Sequence, residues 1–164
     1  MNTLLKIKNL SISFNKKNKV VESVSIEIPI GKTIALVGES GSGKTLTALS
    51  ILKLLPNSAS YDDGEIYYNN KNILISTENE IQKIRGKKIS TIFQEPMSSL
   101  NPLHTVNKQI EEIILNHQNI SLIAAKKMTI ELLKEVGLEK ISKRPKTYSY
   151  ELSGGQRQRV MIVM

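Results

Sequence analysis

The 164-residue chain has no cysteine, no tryptophan and only two phenylalanines. Without thiols there is neither a disulfide framework nor a thiolate metal site. Aromatic residues make up 4% of the sequence. Basic residues interleaved with stacking rings, as a single-strand nucleic-acid binder uses, are therefore missing. No stretch approaches the ~18 uninterrupted apolar residues of a membrane-spanning helix. Lys6 and Lys8 interrupt the N-terminal apolar run, which is too short for a signal peptide. Aspartate is scarce: Asp62 and Asp63 are the only two. A hydrophobic share of 40% and a charged share of 23% exclude compositional disorder. The expectation is a cytosolic globular chain of one domain or two small subdomains.

The formal net charge is +8. Its lysines are mostly scattered singly, so an anionic nucleotide or an anionic membrane surface accounts for the excess as well as a nucleic acid does.

The pattern along the chain predicts strands over 4–14, with Asn9 as a break, and over 20–28, where Val20, Val24, Ile26 and Ile28 share a face. Thr33 to Gly38 and Lys88 to Gln94 are continuous apolar runs, the pattern of strands buried on both faces of a parallel sheet. A helix is predicted from Thr45 to Leu55, closed by Pro56. Residues 57–63 read as a loop, with Asp62 and Asp63 in a turn before a strand, EIYY. Thr77 and Glu80 have capping-box spacing ahead of a short helix reaching about Arg85. Two amphipathic helices follow. Val106, Ile110, Ile113, Ile114 and His117 line one, and Leu122, Ala125, Leu132, Leu133 and Val136 the other, which Gly137 stops. A last helix starts near Ser153. His104 reads as a loop residue and His117 as helix surface, with no partners at metal-ligand spacing.

Gly38-Glu39-Ser40-Gly41-Ser42-Gly43-Lys44-Thr45 matches G-x-x-x-x-G-K-[ST] in full, between an apolar run and a helix. Glycines let successive N–H groups point into one concavity that suits phosphate oxygens, and the following helix aims its positive end at the same place. Lys44 adds a full charge for the β- and γ-phosphates. The Thr45 hydroxyl is a hard oxygen ligand for Mg²⁺. The alternative is a flexible glycine turn, which needs neither lysine nor threonine at these positions. About a hundred residues on, Leu152-Ser153-Gly154-Gly155-Gln156 combines a capping box with two glycines in a first helical turn. The alternative for this stretch on its own is a capped helix with a glycine turn.

Together these motifs resemble the ATP-binding subunits of ATP-binding-cassette (ABC) transporters. GESGSGKT looks like their Walker A loop, Gln94 in IFQEP like their Q-loop glutamine and LSGGQ like their signature. TALSILKLLP, IFQEPMSSLNPLHTV and ELSGGQRQRVMI are similar to the subgroup energising di- and oligopeptide importers. The resemblance implies an α/β P-loop NTPase fold, the ABC-type nucleotide-binding domain, with an antiparallel β subdomain and a helical subdomain. Residues 1–93 would form the nucleotide-binding core with its β subdomain and Walker A loop. Residues 94–164 would form the Q-loop and helical subdomain. The implied cofactors are ATP and Mg²⁺. Lys44 and Gln94 would be catalytic, and Thr45 and Gln94 would meet the metal. Gly38 to Thr45, with Phe14 stacked on adenine, would bind nucleotide; Phe14 reads equally as an apolar strand residue. Ser153, Gly154, Gly155 and Gln156 would meet the γ-phosphate held by a second cassette in a head-to-tail pair. Glu95 to His104 would face transmembrane permease subunits, at the cytoplasmic side of the inner membrane. No nucleic-acid partner is implied.

The acidic strand that follows the signature in this family, and its switch histidine, have no counterpart in the sequence. The expectation is therefore a cassette truncated at its C-terminus, inside the signature helix: a gene fragment, a decayed gene product or an excised piece. Two rival readings accompany the ATPase. One is a non-hydrolysing remnant, motivated by the missing acids. The other is a soluble cassette acting on nucleic acid, motivated by the charge.

Overall fold

The computed structural model describes residues 2–15, 17–93 and 100–164. They fall into two compact units, Met1–Ile89 and Ser90–Met164.

The first unit is built on an antiparallel sheet of order β2-β1-β3-β4. Its strands are β1 (Thr3–Phe14), β2 (Asn18–Pro29), β3 (Ala59–Tyr68) and β4 (Lys71–Asn72). Helix α1 (Lys44–Ile51) lies between β2 and β3 in sequence, and α2 (Glu78–Gln82) follows β4. Leu5, Ile7, Leu10 and Ile12 of β1 are buried with Val21, Ile66, Ile73 and Ile81, and Leu46 and Ile51 of α1 pack against them.

The spacing of those β1 residues is 2, 3, 2, which a regular strand cannot place on one face. Asn9 solves this. It takes a left-handed φ of 47° and shifts the register between Ile7 and Leu10, so the predicted break is a bulge inside a continuous strand. Ser23 on β2 repeats the device with φ 47°. It moves the buried position from the expected Val20 to Val21, while Val24, Ile26 and Ile28 pack on the core as expected. Serines take up the displaced backbone groups: Asn9 N–H donates to Ser25 Oγ at 2.9 Å, and Ser23 N–H to Ser11 Oγ at 3.1 Å.

Residues 59–63, expected in a loop, belong to β3 and pair with β1. Their polar side chains hid a strand whose ladder is satisfied by β1, with Ser13 Oγ donating to Asp62 at 2.8 Å. Gly64 sits at φ 107°, where a Cβ would lie 2.6 Å from Leu10 Cα. Helix α1 ends at Ile51, short of the predicted Leu55, because Lys53 turns to φ 53° and Leu54 N–H returns to Leu49 O at 3.0 Å. The capping box forms as predicted: Glu80 accepts from Thr77 N–H at 2.9 Å. The helix it caps stops at Gln82.

Two predicted strands are not formed. Residues 33–38 form no regular element, and in the described part of 88–94 Lys88 lies in a turn and Ile89 makes one isolated bridge, to Arg85. Val37 is 89% exposed and Ile92 61%. A strand buried on both faces needs ladder partners on both sides, and among the described residues no strand pairs with either segment.

The second unit is helical: α3 (Val106–His117), α4 (Leu122–Glu135), α5 (Glu139–Ser142), a 3₁₀ turn (Ser149–Glu151) and α6 (Gly154–Val163). Val106, Ile110, Ile114, Ala125, Leu133, Leu138, Ile141, Leu152 and Val160 are buried together with Leu100. Thr105 and Ser121 cap α3 and α4 through Lys108 N–H and Ala124 N–H. Gly137, at φ 72°, ends α4 where predicted. Leu122, expected on the buried face, is exposed: that face runs Ala125, Thr129, Leu133.

Two measurements test these assignments. Gly64→Ala forces a side chain into the backbone of Leu10 at a conformation L residues rarely adopt. It should destabilise by about 2–3 kcal/mol in urea unfolding. Gly31→Ala, at φ 69° with nothing within 4 Å, should cost about 1 kcal/mol. Separately, the hydrogen bond from Lys71, then those from Thr77, hold the Glu80 carboxyl down to about 2. A depressed carboxylate contributes its stability fully above the unfolded value near 4.5 and loses it as pH falls toward 2. The difference in thermal midpoint between wild type and Glu80→Gln should therefore be constant above pH 5 and shrink between pH 4.5 and 2.

Candidate functional site

The Gly38–Thr45 segment follows the irregular apolar run at Gly38, turns through a hydrogen bond from Ser42 N–H to Glu39 O at 3.2 Å, and enters α1 at Lys44. Gly41 and Gly43 both take φ 83°. Gly43 is also sterically required: a Cβ there would sit 2.8 Å from Val20 O and 2.8 Å from Val21 Cγ2. The bare backbone at Gly43 thus lets the start of α1 press against β2.

Lys44 folds back over its own loop. Its ammonium donates to Gly38 O at 2.8 Å, Glu39 O at 2.6 Å and Ser42 Oγ at 3.2 Å. All three N–H groups are directed by carbonyl and hydroxyl dipoles, and Lys44 is in no ion pair among the described residues. The positive charge is held in place without being neutralised, beside the N-terminal end of a helix. Thr47 Oγ donates to Gly43 O at 2.9 Å and ties the first turn to the loop. The Thr45 hydroxyl lies on the exposed side of that turn and bonds to no other described residue. A free hydroxyl oxygen beside a fixed cation fits a magnesium-bound polyphosphate. The two aspartates are engaged in the sheet, Asp62 with Ser13 Oγ and Asp63 with Gly64 N–H at 2.7 Å.

Sequence reasoning missed two residues that hold the far end of α1. The Tyr61 hydroxyl donates to Ser50 O at 3.1 Å. Burial pushes this phenol up to about 12, against the opposing pull of the Arg85 guanidinium. Arg85 donates to Leu52 O at 2.7 Å and Lys53 O at 3.2 Å and pairs with Glu78. The signal available in sequence was slight: one arginine at the end of a short helix carries no motif.

In the second unit, the Ser153 hydroxyl caps α6, accepting from Gln156 N–H at 3.4 Å, while Gln156 Oε1 accepts from Ser153 N–H at 2.9 Å. Nothing lies within 4 Å of a Cβ at Gly154 or Gly155, so the first turn is open on that side. Leu152 anchors it in the core, and Arg157 Nε donates to Leu152 O at 3.0 Å. Phe14 is half-buried at the end of β1, paired with Asn18 and Ala59. Gln94 lies outside the described residues. His104 stands in the loop before α3, with Glu112 and Lys108 near its ring, and His117 is the last residue of α3.

An antiparallel sheet, a glycine loop opening a helix and a helical unit ending in a capped Ser-Gly-Gly-Gln turn are together the fold of an ABC ATPase cassette. The chain matches the dimeric structure of MJ0796, a bacterial ABC transporter cassette, with a TM-score of 0.81 at 29% identity, over 97% of this chain and 67% of that one. The post-hydrolysis MJ0796 dimer bound to ADP and Pi matches with a TM-score of 0.78 at 27% identity, over 97% and 67%. The family profile described as ABC transporter matches residues 21–164, and the chain belongs to that family. It is 50% identical over 165 aligned positions (98% of this chain, 30% of the relative) to the peptidoglycan transport ATP-binding protein YejF of Agrobacterium fabrum. It is 45% identical over 165 positions (98% and 46%) to the oligopeptide transport ATP-binding protein OppD of Bacillus subtilis. The chain thus spans about a third to a half of the length of these curated relatives.

Ser153→Ala removes the acceptor for Gln156 N–H and should lower stability by about 1 kcal/mol in denaturant unfolding. Ser153→Asp, which keeps an acceptor oxygen at the cap, should stay within about 0.5 kcal/mol of wild type.

Proposed function

We propose that this chain is the nucleotide-binding part of an ABC transporter ATPase that couples Mg-ATP binding and hydrolysis to peptide import across the inner membrane. The observation that carries the reading is the Lys44 ammonium, fixed by three dipoles of its own loop and balanced by no carboxylate among the described residues. Peptides are supported as cargo by the printed names of the relatives, among them OppD.

Lys44 would bind the β- and γ-phosphates, exchanging some of its loop acceptors for phosphate oxygens. The N–H groups of Gly41 to Thr45 would surround them, within the loop Gly38, Glu39, Ser40, Gly41, Ser42, Gly43. The Thr45 hydroxyl would hold Mg²⁺, which when bound offsets phosphate charge as the terminal phosphoryl group leaves. Gln94 would report nucleotide state from its position after Phe93, and Phe14 would stack on the base. Ser153, Gly154, Gly155 and Gln156 would close over the nucleotide of a second cassette. The open side of the first α6 turn and the dimeric form of MJ0796 support that arrangement. Transmembrane permease subunits would be the other partners. Among the described residues no helix is long and apolar enough to cross a membrane, which accords with a peripheral place at the cytoplasmic face.

A second reading, nucleotide binding without hydrolysis, is favoured by the engagement of both aspartates in the sheet. Titration calorimetry and phosphate release separate the two. Wild type should bind Mg-ATP, and Lys44→Ala should weaken binding by roughly 30- to 100-fold, the value of a charge-assisted contact to phosphate. Phosphate release that disappears in Lys44→Ala supports the ATPase, and binding without release supports the second reading. No heat with wild type would overturn both.

A further inference from the structure

We propose that Arg85 and Tyr61 are positioning residues for the phosphate loop, clamping the C-terminal end of α1 so that its first turn keeps Lys44 and Thr45 in register for a polyphosphate. The inference rests on the nucleotide reading above and adds to it two side chains that approach the loop from the opposite end of its helix.

Helix α1 has only eight residues, about 12 Å of length. A helix this short does not hold itself in water, and its direction is set by what grips its ends. At the near end Gly43 abuts Val20 and Val21 of β2. At the far end the helix runs out of backbone donors, and its last bonds are the Leu52 and Lys53 N–H groups closing on Leu49 O and Ser50 O at 3.1 Å. Side chains hold three carbonyls at and just past this end: Ser50 O also accepts from the Tyr61 hydroxyl, Leu52 O from Arg85 Nε and Lys53 O from Arg85 Nη2. The left-handed turn at Lys53, φ 53°, carries the chain out of the helix there. The two carbonyls that meet the guanidinium belong to the two residues that follow the helix.

Both anchors are rooted in the core. Tyr61 is on β3, paired with the buried Ile12. Arg85 N–H donates to Ile81 O at 2.9 Å, and Ile81 is fully buried. Glu78, on the first turn of α2, holds the remaining guanidinium nitrogen, Nη1. A second tie runs from Lys53 Nζ to Ser76 O at 3.0 Å. The planar fork of Arg85 serves two carbonyls and a carboxylate at once, and its charge suits a helix C-terminus. A lysine offers the charge without the fork. β2 therefore meets α1 at its near end, β3 and the α2 segment hold its far end, and release at the C-terminal end frees the helix to tilt about Gly43.

Arg85→Gln, Arg85→Lys and Tyr61→Phe test this, with Gly64→Ala as a control that strains the β1–β3 pairing without removing a hydrogen bond to the end of α1. Calorimetry with Mg-ATP and with magnesium tripolyphosphate gives affinity. Amide hydrogen exchange at Thr47 to Ile51, without ligand, reports the hold on α1 directly. Arg85→Gln should weaken both ligands about tenfold, Tyr61→Phe about threefold, and Arg85→Lys should recover part of the loss. Exchange at Thr47 to Ile51 should accelerate in the same order. Gly64→Ala should lower the thermal midpoint while changing affinity less than about twofold. Arg85→Gln affinities within twofold of wild type, or losses matched by Gly64→Ala, would overturn the clamp. If wild type binds neither ligand the nucleotide reading fails, and unchanged exchange in Arg85→Gln then removes the clamp as well.

Discussion

The Lys44 ammonium, bent back onto the carbonyls of Gly38 and Glu39 and the hydroxyl of Ser42, is the interaction on which the site depends. A lysine side chain in water samples many rotamers, and a mobile cation is a poor phosphate ligand. Three dipoles of one short loop hold this one still, and among the described residues no carboxylate shares its charge. The loop can curl that tightly because Gly41 and Gly43 accept left-handed backbone and Gly43 carries no Cβ to strike Val20. Side chains at either glycine would open the ring that the ammonium closes.

The rest of the first unit keeps this ring in place. Strand β1 pairs on both sides and buries Leu5, Ile7, Leu10 and Ile12 on one face only because Asn9 adds a residue at mid-strand. Ser23 does the same on β2, and Gly64 lets β3 approach the bulge. Helix α1 rests on the resulting apolar face through Leu46 and Ile51. Its buried Thr47 and Ser50 bond to their own helix backbone, so they bring no unpaired hydroxyl into the core. In the second unit, burial of Leu152 and Val160 and the Ser153 cap give the Ser-Gly-Gly-Gln turn a fixed base with an open surface.

Local chemistry was legible in the sequence. The Thr77–Glu80 and Ser153–Gln156 capping boxes, the stop at Gly137, the face of α3 and, Leu122 apart, that of α4 follow from spacings of three and four residues, which a helix supplies to itself. Strands β1 and β2 were legible as well, but several other outcomes that depend on a neighbour were not. The apolar runs at 33–38 and 88–94 read as buried strands, but a strand takes its hydrogen bonds from other segments, and among the described residues none provides a ladder for them. The polar stretch Ala59 to Asp63 read as a loop, yet β1 offers it a ladder. Parity on β2 failed at Val20 because one left-handed serine inverts it. The phosphate loop was legible because its motif encodes backbone freedom and charge together. The roles of Arg85 and Tyr61 were not, since each acts through carbonyls that have no sequence signature.

The central claim is that the amides and ammonium between Gly38 and Thr45 receive a polyphosphate. A ¹H–¹⁵N correlation titration of the folded chain with Mg-ATP tests it most directly. The account predicts that the largest shifts fall on the amides of Gly41, Ser42, Gly43, Lys44 and Thr45, and that they saturate together. Shifts centred elsewhere in the chain, or no shift at saturating Mg-ATP, would contradict it.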